Sequence, residues 1–233
     1  MVGKQIVVGV DVAWRRSGAL DWALHEAALR QMPLHAVHVV DERPGYAFPL
    51  SGDSQVAVAL AIPEPDSGFI DELEQYVVAA GQTLEFGTDV LVGSPHRRLV
   101  ELSSEAALTV AGRRGAGGFD RLLIGSTSEF VANHAEGPVV VVPDGWRPDR
   151  ATEAPIVVGV DLGEQHDAAL EFAFDTAALH HVPLWMVHAW DAQLIVLGGH
   201  RGKSGLMIGS VARGVLQYAG VPVAVVHERG ASS

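Results

Sequence analysis

The sequence predicts an α/β protein built from two copies of one parallel-sheet unit. Three observations carry this. Residues 6–41 (IVVGVDVAWRRSGALDWALHEAALRQMPLHAVHVVD) align with 156–191 (IVVGVDLGEQHDAALEFAFDTAALHHVPLWMVHAWD) at a constant shift of 150, without a gap, and 17 of the 36 pairs are identical. Each copy opens on an unbroken β-branched run and passes into apolar residues spaced by three and four, the alternation of a buried strand with an amphipathic helix. A hydrophobic share of 48% with 26 glycines suits strands covered on both faces.

The first run, Ile6–Val10, is apolar throughout and reads as a strand buried from both sides, as does its repeat Ile156–Val160. Leu20, Ala23, Leu24, Ala27 and Ala28 then form one helical face, repeated by Leu170, Ala173, Phe174, Ala177 and Ala178. Pro33 and Pro183 precede second strands at Leu34–Val40 and Leu184–Trp190. The whole β-α-β stretch has the length of a right-handed crossover.

Unit one continues through a Pro/Gly-rich stretch (43–68), a helix near Phe69–Ala80, and an apolar segment at Thr88–Val92. Gly93-Ser94-Pro95 opens a helix over His96–Glu105, Leu108–Ala111 is a fourth strand, a helix follows near Ser126–Ala135, and Pro138–Val142 is a fifth strand. Residues 144–155 are polar and proline-containing, a linker between a first domain, 1–143, and a second, 156–233.

The second unit is shorter. Its segment Leu194–Gly198 matches Ala107–Ala111 at a shift of 87, so 63 residues present in unit one are missing between its strands two and four. Parallel strands need a crossover of about a dozen residues or more. The sequence therefore predicts residues missing between Asp191 and Ala192.

Composition excludes several function classes. A formal charge of −12 repels polyanions, which argues against nucleic-acid and anionic-membrane binding. No cysteine is present, so disulfides and thiolate chemistry are absent. The opening MVGKQIVVGVD runs directly into a strand pattern, and no stretch of 18 apolar residues occurs. These features predict a cytoplasmic protein.

The chemistry is concentrated in a glycine loop, Gly112-x2-Gly115-x9-Gly125-Ser126, between a strand and a helix. Glycines there let backbone amides approach an anion, and the helix N-terminus adds unpaired donors and partial positive charge. Ser126 can offer a hydroxyl to a phosphate or simply cap the helix. Arg15, Arg16, Arg97, Arg98, Arg113, Arg114 and Arg121 all follow strand ends, seven of the chain's 16 basic residues, on the side where open α/β sheets bind ligands. Asp11 and Asp161 close the first strands, placed either to accept from ribose hydroxyls or to form an Asx-turn. His38 and His188 lie within apolar strands and read as core histidines. His180 and His181 are adjacent on a helix and point apart, a poor metal pair.

The order VGVD, helix, P-L-x-x-V-H-x-x-D, G-S-P, G-x2-G-x9-G-(S/T) and P-V-V-V-V resembles the universal stress protein family, and the tandem arrangement is similar to its two-domain actinobacterial members. The resemblance implies two Rossmann-like (adenine nucleotide alpha hydrolase-like) open parallel sheets of five strands, order 3-2-1-4-5, with helices on both faces. It implies ATP with phosphate-bound Mg²⁺ or Mn²⁺: Asp11 at the nucleoside, the Val39 backbone at the base, Ala111, Gly112 and Gly115 at ribose and phosphates, and Gly125, Ser126, Thr127 and Ser128 at the distal phosphates. The matching positions in unit two are Asp161, Ala189, Gly198, Gly199, Gly202, Gly209, Ser210 and Val211.

Three departures from the family pattern stand out. Val12-Ala13 replaces the family's Gly-Ser and brings bulky Trp14 next to the nucleotide position. The second loop reads Gly202-x6-Gly209, three residues short. Gln165-His166 stands where unit one has Arg15-Arg16. The last strands, Val139–Val142 and Val223–Val226, would be bare edges that pair with one another, making an intramolecular pseudo-dimer; a homodimer is the alternative.

The expected function is a nucleotide-dependent regulatory module in stress response, acting on a protein partner that the sequence does not name. No Walker A lysine or base–nucleophile pair points to turnover. A slow ATPase or nucleotidyl-transfer enzyme, and a nucleotide-free scaffold, are the alternatives on the same fold.

Overall fold

The structure, a computed structural model, describes residues 4–40, 67–81, 83–115, 124–148, 154–159, 167–186, 193–202, 205–207 and 221–227. Unit one contains β1 (Ile6–Val10), α1 (Trp14–Ser17), α2 (Ala19–Arg30), β2 (Leu34–Val40), α3 (Ser67–Ala79), β3 (Phe86–Val92), α4 (Pro95–Ser103), β4 (Leu108–Gly112), α5 (Ser126–His134) and β5 (Val139–Val142). Unit two contains β6 (Ile156–Gly159), α6 (Asp167–His180), β7 (Leu184–Trp185), β8 (Leu194–Gly202), β9 (Gly205–Met207) and β10 (Val223–His227).

Unit one has the expected order, β3-β2-β1-β4-β5, and every neighbouring pair is parallel. The expected second, separate sheet is corrected. β10 lies antiparallel beside β5, Val225 opposite Val139 and Val223 opposite Val141, so both units share one continuous sheet. The physical cause is edge pairing. Val139–Val142 and Val223–Val226 are apolar strands that would otherwise present unpaired amides and carbonyls, and here all eight are buried.

Alternation along the strands sorts the core into two layers. Ile6, Val8 and Val10 face α2, α3 and α6, together with Leu108, Val110, Val140, Ile156 and Leu194. Val7, Val37, Val139, Val141 and Val225 face the other way, against Leu99 of α4 and Val131 of α5.

The helix between β1 and β2 divides in two. Gly18, at φ +70°, separates α1 from α2, and a side chain there would meet the Trp146 backbone oxygen at 2.9 Å. The repeat is visible in the helix ends. Gln31 (φ 53°) and His181 (φ 55°) close α2 and α6 in the same left-handed conformation, and each is followed by an amide donating five residues back, Met32 to Ala27 and Val182 to Ala177.

β6 lies between β7 and β8, parallel to both. Among the described residues β7 pairs with β6 through Leu184 and Trp185; positions 187–192, which hold the rest of the expected strand and the expected gap after Asp191, lie outside the described residues.

The two units also meet through a polar network between α2 and α6. Glu26, fully buried, accepts from Arg30 Nε at 2.7 Å and lies 2.7 Å from His180 Nε2. Arg30 in turn donates to Thr176 Oγ1 at 3.0 Å. Burial pushes the Glu26 carboxyl up, but the His180 hydrogen bond and the Arg30 and His180 charges outweigh it and the net direction is down. His25 packs edge-on against His180, and burial first, then the His180 charge, push it below its ordinary value against the pull of Glu26. Among the described residues, no helix is long and apolar enough to cross a membrane.

Candidate functional site

A cavity of about 360 Å³ opens at the carboxyl ends of β1, β2 and β4. β1 is where the chain order reverses, with β2 on one side and β4 on the other, the place where open α/β sheets hold ligands. All nine unit-one residues singled out from the sequence line this cavity: Asp11, Val39, Ala111, Gly112, Gly115, Gly125, Ser126, Thr127 and Ser128. One half of it is apolar, formed by Val37 and Val39 of β2 with Pro95 and Leu99 of α4. The other half is glycine backbone and the start of α5.

Asp11 leaves β1 and turns the chain into α1. Its Oδ1 accepts from the Ala13 amide at 2.9 Å and its carbonyl accepts from Trp14, so the Asx-turn reading holds. Its Oδ2 lies against the glycine loop, where a β-carbon built on Gly115 would fall 2.5 Å away. Gly112 is equally confined, with Ser17 Cβ 2.8 Å from where its side chain would begin. These two glycines are needed for lack of space.

The loop is tied to the sheet at both ends. The Arg113 amide donates to Val142 O and the Gly125 amide to Arg113 O, both at 2.7 Å. Gly125 is the N-cap of α5, so Ser126 is its first helical residue and not its cap. No side chain caps this helix. Its leading amides, those of Ser126, Thr127 and Ser128, therefore form an uncapped positive pole beside the cavity. The Ser128 hydroxyl is engaged elsewhere: it donates toward Gly125 O (3.0 Å) and Arg113 O (3.1 Å), locking the loop to the helix.

Several expectations change. Trp14 does not reach the nucleotide position. It is buried against Tyr76, ring centroids 4.8 Å apart, because α3 supplies an apolar surface on that side. The described arginines do not converge. Arg15 folds back over Trp14 and pairs with Glu72 at 2.6 Å, and Arg98 pairs with Glu101 at 2.9 Å. Of the six described, Arg114 alone lines the cavity, and Arg121 lies outside the described residues. Burial lowers the pKa of Arg113; Asp144 opposes the shift and Arg114 adds to it. His38 is structural, its Nδ1 2.9 Å from Val10 O and its ring against Phe69.

In unit two, Asp161, Ala189, Gly209, Ser210 and Val211 lie outside the described residues, as does His188. Gly198, Gly199 and Gly202 are in β8, not in a loop. Ile156 pairs with Leu194 as Ile6 pairs with Leu108, which moves the expected correspondence by one: Gly198 takes the place of Gly112, not of Ala111. A one-residue shift exchanges sheet faces, and the observed register is the one that puts Leu194 and Val196 in the core. Gly202 then pairs with Gly205 in an antiparallel hairpin. Among the described residues, no three His, Asp or Glu side chains gather to hold a metal.

Sequence reasoning missed Ser17, Pro95 and Leu99 as cavity walls. Pro95 carried a signal, since Gly93-Ser94-Pro95 was legible as a helix start at a strand end. Ser17 carried none, because only tertiary packing brings it to Gly112.

A doubly wound sheet with a glycine-lined cavity at its switch point defines a Rossmann-like α/β protein. A sequence model of the universal stress protein family matches residues 3–143 and 187–227, and the chain belongs to that family. It is 35% identical over 200 residues to a universal stress protein of Mycobacterium tuberculosis, a match covering 80% of this chain and 62% of the relative's length. A universal stress protein of Mycolicibacterium smegmatis is 28% identical over 288 positions, covering 96% of this chain and 97% of the relative. That alignment is longer than the 233-residue chain, so the relative carries sequence that this chain lacks. The fold is similar to the crystal structure of a universal stress protein from Archaeoglobus fulgidus, with a TM-score of 0.70 at 17% identity over 97% of this chain and 98% of that one.

Proposed function

We propose that the first unit binds ATP, with Mg²⁺ on its phosphates, and that occupancy of this site regulates the protein's part in a stress response in the cytoplasm. The observation that carries this is the division of one cavity into an apolar slot and an amide-lined end. Val37, Val39, Pro95 and Leu99 offer flat apolar contact to a base. Asp11 stands between the halves, where ribose hydroxyls would donate to it. Gly112, Gly115, Gly125 and the first turn of α5 supply backbone donors at close range to phosphates. The residues fit the ligand on two counts. A β-carbon at Gly112 or Gly115 would close the approach, and Arg114, whose buried Nε has no hydrogen-bond partner, lines the same cavity.

In this reading the protein binds rather than turns over nucleotide. The lining residues include no lysine, histidine or cysteine, and the Ser128 hydroxyl is committed to the loop. One site per chain is expected, because the described glycines of unit two form a strand and its hairpin. The β5 and β10 edges pair within the chain, so the two units act as a pseudo-dimer and a homodimer through those edges is not needed.

The test is mass spectrometry of the denatured protein for co-purified adenine nucleotide, followed by calorimetric titration with Mg-ATP. Binding at one equivalent is expected, with Gly112→Ala weakening it by about tenfold, equivalent to about 1.4 kcal/mol. An unchanged affinity in Gly112→Ala would remove the site assignment. Failure of the wild type to bind ATP at millimolar concentration would favour the nucleotide-free scaffold.

A further inference from the structure

We propose that Asp144, at the start of the inter-unit linker, competes with the bound phosphates for Arg114, so that nucleotide binding loosens the linker from the first unit. This rests on the ATP reading and adds its regulation.

The described start of the linker, 144–148, is packed down, not free. Trp146 sits against Gly18, the Gly145 amide donates to Arg16 O at 2.9 Å, and Arg147 reaches Asp21 at 3.1 Å. Asp144 joins this clamp to Arg114, which lines the cavity. Its Oδ2 lies 3.4 Å from Arg114 Nη1, a longer contact than Arg15–Glu72 at 2.6 Å or Arg30–Glu26 at 2.7 Å. Arg114 is thus half satisfied. One nitrogen holds a loose ion pair, and Nε is buried without a hydrogen-bond partner.

A guanidinium in that state gains by turning to a polyphosphate, which offers charge-assisted, bidentate acceptors in place of one distant carboxylate. The same event sets phosphate and Asp144, both negative, beside each other, and repulsion then disfavours the docked linker. Adenosine lacks the phosphates and leaves the pair intact. Asp144 is therefore an affinity-determining residue that does not itself hold the ligand. Its effect is confined to ligands carrying phosphate, and it places the linker and the site on opposite sides of one equilibrium.

The experiment is hydrogen exchange of the linker (143–148) in the full-length wild type with Mg-ATP and with adenosine, alongside titration of both ligands into the wild type and Asp144→Asn. Faster linker exchange with ATP and none with adenosine is expected. This direction opposes the protection that ligand binding ordinarily brings. Asp144→Asn is expected to bind ATP about threefold tighter, the scale of an exposed ion pair, and adenosine no differently. An unchanged or slowed linker in the ATP-bound wild type overturns the competition while leaving ATP binding standing, and so does an Asp144→Asn affinity equal to that of the wild type. The exchange measurement needs no variant, so it decides even if Asp144→Asn fails to fold. Absence of ATP binding by the wild type overturns both this inference and the reading beneath it.

Discussion

Glu26→Gln is expected to be strongly destabilising although it changes no volume. Glu26 is fully buried, with its two oxygens divided between Arg30 and His180. Glutamine keeps one acceptor and replaces the other by an NH₂. If that group faces Arg30, donor meets donor; if it faces His180, only a neutral ring can accept from it. Either way the guanidinium of Arg30 loses the charge that balances it. Breaking a buried pair by removing one partner costs about 3–5 kcal/mol. The Arg30 side chain is 18% exposed, so water offsets part of its loss and the lower end applies, about 3 kcal/mol. For a chain of this size each 1 kcal/mol moves the melting temperature by about 2–4 °C, which predicts a fall of about 6–12 °C. Thermal unfolding followed by circular dichroism at neutral pH reads this directly. The double variant with His180→Gln should lose less than the sum of the two single changes, because the residues share one network. A shift below about 2 °C, the size of a neutral surface change, would refute the argument that this seam binds the units.

Two further outcomes follow from the same structure. Stability should decline on acidification in two stages. His25 has a folded pKa below its ordinary 6.5, so its contribution is complete above that value and is lost as the pH falls from 6.5 through the folded value. Glu26, likewise lowered from 4.5, loses its contribution at still lower pH. Melting temperatures measured from pH 8 to about pH 2 check this, and an upper stage that persists unchanged in His25→Asn would contradict the assignment. Gly115→Ala should weaken ATP binding by about tenfold or more, since its β-carbon would fall 2.5 Å from Asp11 Oδ2 and force that carboxylate away. Calorimetric titration measures the loss, and affinity within about twofold of the wild type would show that Asp11 has no fixed role.

Much of unit one was legible because its signals are local. Ile6–Val10, the Leu20–Ala28 face and Pro138–Val142 each announce their element within a few residues, and Asp11 with the glycine series marks a strand end and a helix start. The nine cavity residues inherit that legibility, since each lies at a strand end, in the glycine loop or at the start of the helix it leads into. What stayed hidden depends on contacts distant in the chain. Glu26 lies 154 positions from His180, and within α2 alone nothing marks it as buried. Trp14 reads as an obstruction until α3 is seen to draw it into the core. The arginines share a strand-end address, but Arg15 and Arg98 have carboxylates closer than the cavity, and sequence spacing does not contain that competition.

The two units differ in what the fold demands of them. Every described strand of unit two except β7 and β9 pairs on both sides within the shared sheet, and α6 supplies the His180 and Thr176 that meet α2. The residues missing relative to unit one correspond to α3, β3 and α4, and β3 is the outermost strand of the sheet, far from the β5–β10 junction. Their loss removes an edge strand and the helix that walls the cavity in unit one, without touching the seam. It also leaves its mark: Phe174, at the place of the buried Leu24, is 60% exposed. The glycine loop follows the same logic. In unit one its amides curl back, Gly125 onto Arg113, and the first turn of α5 is left open to an anion. In unit two the corresponding backbone stays extended, Gly199 beside His227 and Gly202 opposite Gly205, so its hydrogen-bonding groups are committed to strand pairing. A strand can be duplicated through its apolar pattern alone, whereas a phosphate loop also needs a particular length. That is why the duplicated chain retains the second unit's sheet while its described glycines build no second cradle.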